Sequence, residues 1–440
     1  MTLFAIVALC LILIRYCFEL WLDGVNAAHV RKHADEVPEA FREIMDEATY
    51  QKSVRYTLAK ARFGTLSDTY STAVLCTLLF SGWLASLFGQ IAEQTGQSAW
   101  GLAIALWVVI LLMSVLSLPF SWCSQFRLEE WFGFNNSTQR IWWSDQAKGV
   151  VLSFAIGVPL LALILWLVEA SGDHWWLWAW GVVVVFQLLM SVLAPIFILP
   201  LFNKFTPLPD GALKDRLNDL AKRTGFINAG IQMMDGSKRS KHSNAFFTGL
   251  GRGRKIALFD TLVEQMNEEE LEAVLAHEIG HYKLRHVPKM IAWSFITTLI
   301  GFWGLSLLSG QACFADAFGF GPDTEQLKHL LPSEAVPMLT PMARIAPVFL
   351  LFGLLAGTVT FWLSPLSSFW SRKFEYEADT FASDAIGASG PMITALRKLN
   401  RENLSNLTPH PWYSSFHYDH PALLEREAAL KALSRAGTPS

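Results

Sequence analysis

Charge is what this sequence has too little of. Asp, Glu, Lys and Arg make up 17% of its 440 residues, against about 25% in an ordinary soluble domain. Hydrophobic residues make up 52%, with 18 Trp and 31 Phe. A water-soluble fold of that composition could not cover its own outside. Disorder is excluded too, because disordered segments are polar and charged. Cysteine is scarce and odd in number: there are five, and Cys10, Cys17 and Cys76 fall inside apolar runs, which excludes a disulfide framework. No repeat of useful period and no low-complexity linker is found, so solenoids and tethered modules drop out. Basic excess is missing as well: the net charge is −3, so no nucleic-acid partner is expected.

What is there is long apolar runs. A bilayer-crossing helix needs about 20 apolar residues, and seven segments qualify: Leu3–Leu22, Ala73–Ala92, Trp100–Trp122, Gly149–Val168, Trp175–Leu201, Pro288–Ser309 and Ile345–Leu366. The first is too long for a signal peptide and lacks a small-residue cleavage site. It carries Arg15 and Glu19, four apart and therefore able to pair on one helix face. Lys and Arg alternate between loops without a break: seven in the first, none in the second, three in the third, none in the fourth, thirteen in 202–287, two in 310–344 and eight in 371–440. The positive-inside rule then puts the N-terminus outside, and the long insert and the tail in the cytoplasm. Trp142–Trp143 and the cluster 175–180 suit the headgroup interface. Sequons at Asn135, Asn136, Asn403 and Asn406 fall on the cytoplasmic side and are read as unglycosylated.

Polar residues concentrate between 202 and 287. Asp210–Thr224 reads as a helix with Leu213, Leu217 and Leu220 at helical spacing, and Ile227–Met234 and Lys255–Phe259 read as short strands. Between the strands, Gly249, Gly251 and Gly253 punctuate a Gly/Arg-rich stretch. A phosphate-cradling loop would lead into a helix. Here a strand follows, so a hairpin turn is expected.

A helix then begins at Asn267, with Glu270 placed to complete a capping box and Glu268 and Glu269 at the positive end of the macrodipole. It contains His277-Glu278-Ile279-Gly280-His281, the H-E-x-x-H pattern. Histidines four apart lie one turn apart on one face and can share a Zn²⁺, and Glu278 stands where it can take a proton from water activated by the metal. A catalytic zinc needs a third protein ligand and an open position. His286 sits on the wrong turn of a continuous helix and is read as a helix-terminal cation. The longer pattern H-E-x-x-H-x-x-G-x-x-H fails, because Leu284 and Val287 stand where its Gly and third His would be. Glu375, Glu377 and Asp379 follow the last apolar run. On a helix Glu375 and Asp379 share a face, so Glu375 could bind zinc while Asp379 orients a ligand histidine, with Glu377 pointing elsewhere. The competing reading is surface acids beside Arg372 and Lys373.

Seven segments carry a family resemblance: GFNNSTQRIWWSDQAKG (133–149), PLFNKFTPLPDG (200–211), DGSKRSKHSNAFF (235–247), KIALFDTLVE (255–264), LAHEIGHYKLRH (275–286), SRKFEYEADTFA (371–382) and HPALLER (420–426). With them the chain resembles the type 1 CAAX prenyl proteases, seven-span membrane zinc metalloproteases. The resemblance implies that His277, His281 and Glu375 bind one zinc, that Glu278 is general base and acid, and that Asn244, His420 and Arg426 line the site to steady the substrate backbone and the developing oxyanion. It implies that KIALFD is the edge strand holding an extended peptide, and that the seven helices ring a water-filled chamber, which would accommodate Arg15 and Glu19.

The expected protein is therefore mainly α and polytopic, with seven transmembrane helices enclosing a chamber and a gluzincin-type zinc protease domain carrying a short β-hairpin. Its parts are 1–201, membrane helices one to five; 202–287, the zinc protease insert; 288–370, helices six and seven; and 371–440, a tail completing the site. The expected activity is cleavage of peptides or membrane-associated proteins, possible lipidated ones included, by a multi-pass protein of a bacterial inner membrane rather than the endoplasmic reticulum. Close relatives occur in bacteria, which generally lack prenylated CAAX proteins. Two rivals stand beside this reading. One is a quality-control protease of the heat-shock type, with about two spans before the motif where five precede it here. The other is a receptor or transporter with a structural zinc. Natural substrate and oligomeric state are not readable from the sequence.

Overall fold

With no water to satisfy backbone groups, a chain that crosses a bilayer must do so as a helix. All seven apolar runs lie on helices in the computed structural model, which describes residues 2–43, 45–226, 230–248, 255–321 and 340–436. The first run is on α1 (Leu3–Lys32), capped by the Thr2 hydroxyl. The second is shared by α2 (Glu47–Phe80) and α3 (Trp83–Thr95), which meet at 66°. Gly82 turns that corner at φ +79°, a left-handed conformation that a side chain would strain. The third run is on α4 (Ala99–Cys123). The fourth and fifth share one helical stretch, Gln139–Phe202, of 64 residues. It folds back at Gly172–His174, so that helices Val158–Ser171 and Trp175–Leu193 pack together. The last two runs lie in His286–Ser309 and Pro341–Ile386. Taking the bent pair as one crossing and the folded stretch as two gives seven. Exposed Val151, Phe197, Ile300 and Val359 give these helices a surface suited to hydrocarbon.

The charges of the first run do not pair with each other. Arg15 Nη2 lies 3.4 Å from Asp68 on α2, and Glu19 lies 3.4 Å from His417 Nε2 in the tail. The helix face that carries residues 15 and 19 turns toward α2 and the tail, so each side chain has its nearest polar neighbour on another element. Glu19 and Asp68 line a cavity of about 860 Å³ together with His417 and His420, in keeping with ionisable groups facing a polar interior. The tail is clasped by α1. Asn26 Oδ1 accepts the His410 N–H at 3.1 Å, and Trp21 and Phe18 meet Trp412 and Phe416.

The protease part is built on a sheet larger than the expected hairpin. Strands β1 (Phe205–Pro207), β2 (Ile231–Met234), β3 (Ala245–Thr248) and β4 (Lys255–Phe259) run in the order β1-β2-β4-β3. The hairpin is β3–β4, antiparallel, with its tip 249–254 outside the described residues, as are 227–229 of the expected first strand. Strand β2 pairs with β4 in parallel, which seats KIALF inside the sheet and leaves β3 at its edge. The edge strand is therefore Ala245–Thr248, not Lys255–Phe259 as expected. The chain after β2 crosses over and enters the sheet from outside, a step that strand propensity does not reveal. Leu217, Leu220, Ile256, Leu258, Leu275 and Ile279 form the core beneath.

The segment after α4 and the first turns of the 139–202 stretch fasten the sheet to the membrane helices. Asn135 bridges Ser240, and Asp145 accepts two hydrogen bonds from Arg239 at 2.9 and 3.2 Å. His242 stacks on Phe134 and hydrogen-bonds Asn403 at 2.9 Å. Glu129 accepts the Tyr56 hydroxyl at 2.8 Å from α2.

Candidate metal centre

The motif helix Glu268–Lys283 starts on the expected capping box. Asn267 Oδ1 accepts from the Glu270 N–H at 2.9 Å, and the Glu270 carboxylate accepts from the Asn267 N–H at 3.0 Å, so two otherwise unpaired donors are satisfied. Leu271, Leu275 and Ile279 anchor one face in the core. The opposite face packs on the helix Ser364–Ile386, referred to below as the acid helix, with Gly280 at the closest approach. That approach brings Glu375 to both histidines.

The Nε2 atoms of His277 and His281 stand 3.1 Å apart, and they lie 3.4 and 3.2 Å from Glu375 Oε2 and Oε1. A tetrahedral ion with ligand bonds of about 2.0–2.1 Å separates its ligand atoms by about 3.3 Å. The three residues are the one such cluster among the described residues, and His₂Glu is a donor set of catalytic zinc sites. Glu375 Oε2 is buried and forms no hydrogen bond, with the Arg426 guanidinium at 3.2 Å and His277 Nε2 at 3.4 Å as its charged neighbours. The residues present fit a divalent metal.

Each histidine is held from behind. Asp379 Oδ1 accepts from His277 Nδ1 at 2.9 Å, which assigns the ring proton to Nδ1 and leaves Nε2 free to ligate. The other ring is set by a relay. Glu377 Oε2 lies 2.9 Å from His286 Nε2, and His286 Nδ1 lies 3.0 Å from His281 Nδ1. A carboxylate accepts only, so His286 carries its proton on Nε2 and offers Nδ1 as an acceptor. His281 then donates from Nδ1 and keeps the lone pair of Nε2 for a metal. His286 is 1% exposed and stacks on Phe374 at 4.3 Å. This corrects the reading of His286 as a helix-terminal cation and of Glu377 as pointing elsewhere. The motif helix stops, Arg285 takes φ +57°, and His286 opens the next helix turned back toward His281.

Glu278, between the two histidines in sequence, makes no hydrogen bond among the described residues. Burial pushes its carboxyl above the usual carboxylate range, with Glu375 adding and His277 and His281 opposing. A half-buried carboxylate with unengaged oxygens beside a metal site can move protons.

Comparison with known proteins decides the family. A family model described as CAAX prenyl protease N-terminal, five membrane helices, matches residues 26–204, and the model of peptidase family M48 matches 207–434. CAAX prenyl protease 1 of Saccharomyces cerevisiae is 36% identical over 410 residues, covering 91% of this chain and 89% of the yeast protein. The Homo sapiens homolog is 31% identical over 96% of this chain and 94% of its own. The crystal structure of S. mikatae Ste24p superposes with a TM-score of 0.90 at 32% identity, covering 98% and 99% of the two chains. The chain belongs to peptidase family M48.

It is an integral, multi-pass membrane metalloendopeptidase that acts on peptide or protein substrates. The receptor and heat-shock readings give way to the match over both halves of the chain. In this M48 peptidase the tail brings two more of the expected residues to the centre. His420 Nε2 lies 3.4 Å from Glu375 Oε1, with its ring exposed to the cavity. The hydrogen bond from its Nδ1 to Asp419, 2.8 Å, pushes the imidazole above its usual value. Arg426 is 7% exposed, and its guanidinium is committed. It gives Asp379 two bonds, of 2.8 and 2.6 Å, and lies 3.2 Å from Glu375. Its placement is behind the ligands, where the resemblance implied a substrate-facing role. Asn244 is exposed at the start of edge strand β3, which packs on the motif helix, and its Oδ1 accepts from the Ala245 N–H at 2.8 Å. No bond links Asn244 to the metal ligands among the described residues.

Proposed function

We propose that His277, His281 and Glu375 hold one zinc ion per chain and that Glu278 is the general base and acid of peptide hydrolysis. The observation carrying this is the convergence of donor atoms, with the two Nε2 atoms 3.1 Å apart, Glu375 Oε2 3.4 Å from His277 and Oε1 3.2 Å from His281, and both imidazoles fixed from behind. A zinc ion there supplies a Lewis acid for the scissile carbonyl and an acidified water. Glu278 takes the proton of the attacking water and passes it to the leaving amine. Protonated His420 donates to the charge developing on the carbonyl oxygen. Arg426 and Asp379 keep His277 in its ligating tautomer. The substrate lies extended along β3, adding a strand to the sheet, with the Asn244 amide on its backbone.

In this reading the chain divides as 1–201, 202–287, 288–370 and 371–440, the last completing the site begun by the second. Loop charge supports a cytoplasmic protease part and an outward N-terminus, and the host membrane is a bacterial inner membrane, which fractionation of the native cells tests. The relatives' names support a membrane-associated, lipidated peptide as substrate. The deciding assay presents purified protein with a prenylated CAAX peptide and its unprenylated twin, alongside elemental analysis. The expectation is one zinc per chain and faster cleavage of the prenylated peptide. Equal cleavage of the two would remove prenyl recognition, and a metal-free preparation that cleaves both would remove the mechanism.

A further inference from the structure

We propose that a basic cleft between the folded membrane stretch 139–202 and the protease sheet binds the phosphate headgroup of an anionic phospholipid. The cleft has a volume of about 580 Å³, within the range that holds small ligands. Its polar wall carries Lys148, Lys204, Lys238 and Lys255 against a single carboxylate, Asp235. That carboxylate is engaged already, since its Oδ1 accepts the Lys204 backbone N–H at 2.6 Å. Among the described residues Lys204, Lys238 and Lys255 form no ion pair. Lys148 donates to the Leu201 carbonyl at 2.9 Å and is ion-paired with Asp145 at 3.5 Å. The other three ammonium groups line the cleft without an ion-pair partner, and a cleft lined by one sign of charge attracts an anion.

The other wall selects the kind of anion. It is made of the last turns of a membrane helix, where Ile196 and Leu201 are 55% and 50% exposed. A soluble phosphate needs only the cationic side. A wall that is half ammonium and half exposed aliphatic, at the edge of the hydrocarbon, fits a headgroup whose acyl chains run along the helix. The bond from Lys148 to Leu201 ties the two ends of the stretch together. Two crossings separate them, so the cleft lies at one membrane face, the face that carries the sheet. Basic pockets at such a position recognise anionic headgroups, with about fivefold in affinity for each ammonium group near the surface. None of these lysines borders the cavity beside the metal centre, so occupancy of the cleft is separable from peptide cleavage.

The test uses the full-length chain in neutral detergent and counts retained lipid by native mass spectrometry. Phosphatidylglycerol and phosphatidylcholine with identical acyl chains are compared, and glycerol 3-phosphate serves as the soluble arm. The expected result is selective retention of phosphatidylglycerol, weakened about 100-fold in Lys204→Gln/Lys238→Gln/Lys255→Gln and about fivefold in Lys238→Gln alone. Peptide cleavage in detergent stays at the wild-type rate in both variants. The single variant keeps the test decisive if the triple one does not fold. Equal retention of the two lipids, or equal retention of phosphatidylglycerol by wild type and Lys238→Gln, overturns the proposal. So does displacement by glycerol 3-phosphate at lipid concentrations, which marks a soluble-phosphate site, or by polyglutamate in preference to lipid, which marks an acidic protein surface.

Discussion

Gly280 meets Ala378 backbone to backbone: a Cβ added at Gly280 would stand 3.1 Å from the Ala378 Cα and 3.2 Å from its carbonyl oxygen. The obstacle is main chain, which cannot rotate away. Gly280→Ala must therefore separate the motif helix from the acid helix by a few tenths of an ångström, and overpacking of this kind costs about 1–3 kcal/mol. Because Glu375 sits one turn from the contact, the ligand cluster opens with it. Thermal unfolding and chelator titration should both register the change, and a variant identical to wild type in both would show that the contact does not set the site.

Glu278→Gln should leave metal content and unfolding temperature unchanged while peptide cleavage falls about 10²- to 10⁴-fold, the usual contribution of a positioned acid–base group. The amide fills the same space and cannot take a proton. Turnover within tenfold of wild type would move the proton-transfer role to another residue.

The relay behind His281 makes a graded prediction. His286→Ala removes the acceptor for His281 Nδ1–H, so the ring loses its fixed tautomer, and metal affinity should fall about 10- to 100-fold. Glu377→Gln should fall less, because its amide oxygen still accepts from His286 Nε2. Competition with a chelating dye reads both without an activity assay. Equal affinities for the two variants would contradict the relay, and wild-type affinity for His286→Ala would remove it.

A fourth prediction concerns pH. Glu427 on the final tail helix is buried and accepts from Arg397 at 3.0 and 2.5 Å. Burial alone would raise its carboxyl. The hydrogen bonds and charges of Arg397 and Lys431 outweigh it and hold the group below the usual range. A carboxyl lowered by folding stabilises the fold above its unfolded pKa of about 4.3 and loses that contribution as pH falls through the folded value. Glu427→Gln should cost about 1–3 kcal/mol at neutral pH, and the gap to wild type should begin to narrow as pH falls below about 4.3 and shrink further as it approaches the folded value. Unfolding curves at pH 7 and pH 3.5 test this, and a gap independent of pH would show that the ion pair is not its source.

What was readable in the sequence was local or periodic. The capping box at Asn267, the histidines four apart and the pair Glu375 and Asp379 each depend on the spacing of one helix, and the seven apolar runs need only hydropathy. The parts that were not readable depend on where the chain turns. Nothing in Lys283-Leu284-Arg285-His286 announces that Arg285 breaks the helix, so the spacing alone puts His286 on the wrong turn. Arg15 and Glu19 invited an i,i+4 pairing, and only the packing of α1 on α2 and the tail supplies Asp68 and His417 instead. The resemblance makes KIALF the peptide edge, and nothing in the strand's apolar pattern tests that, because the pattern does not state a strand's place in the sheet. His242, wedged between Phe134 and Asn403, was invisible for the same reason, as its partners lie more than a hundred residues away on either side.

The clasp between α1 and the tail has a consequence for when the metal site is complete. Residues 277–281 are made before the two crossings that follow them, and His420 and Arg426 come after both. The tail then settles on α1, which precedes the motif helix in the chain, through Asn26, Trp21 and Phe18. A nascent or half-inserted chain thus holds its two histidines without Glu375, Asp379 and Arg426. With the ligand set proposed above, the metal site is complete only once the acid helix and the tail have joined the motif helix.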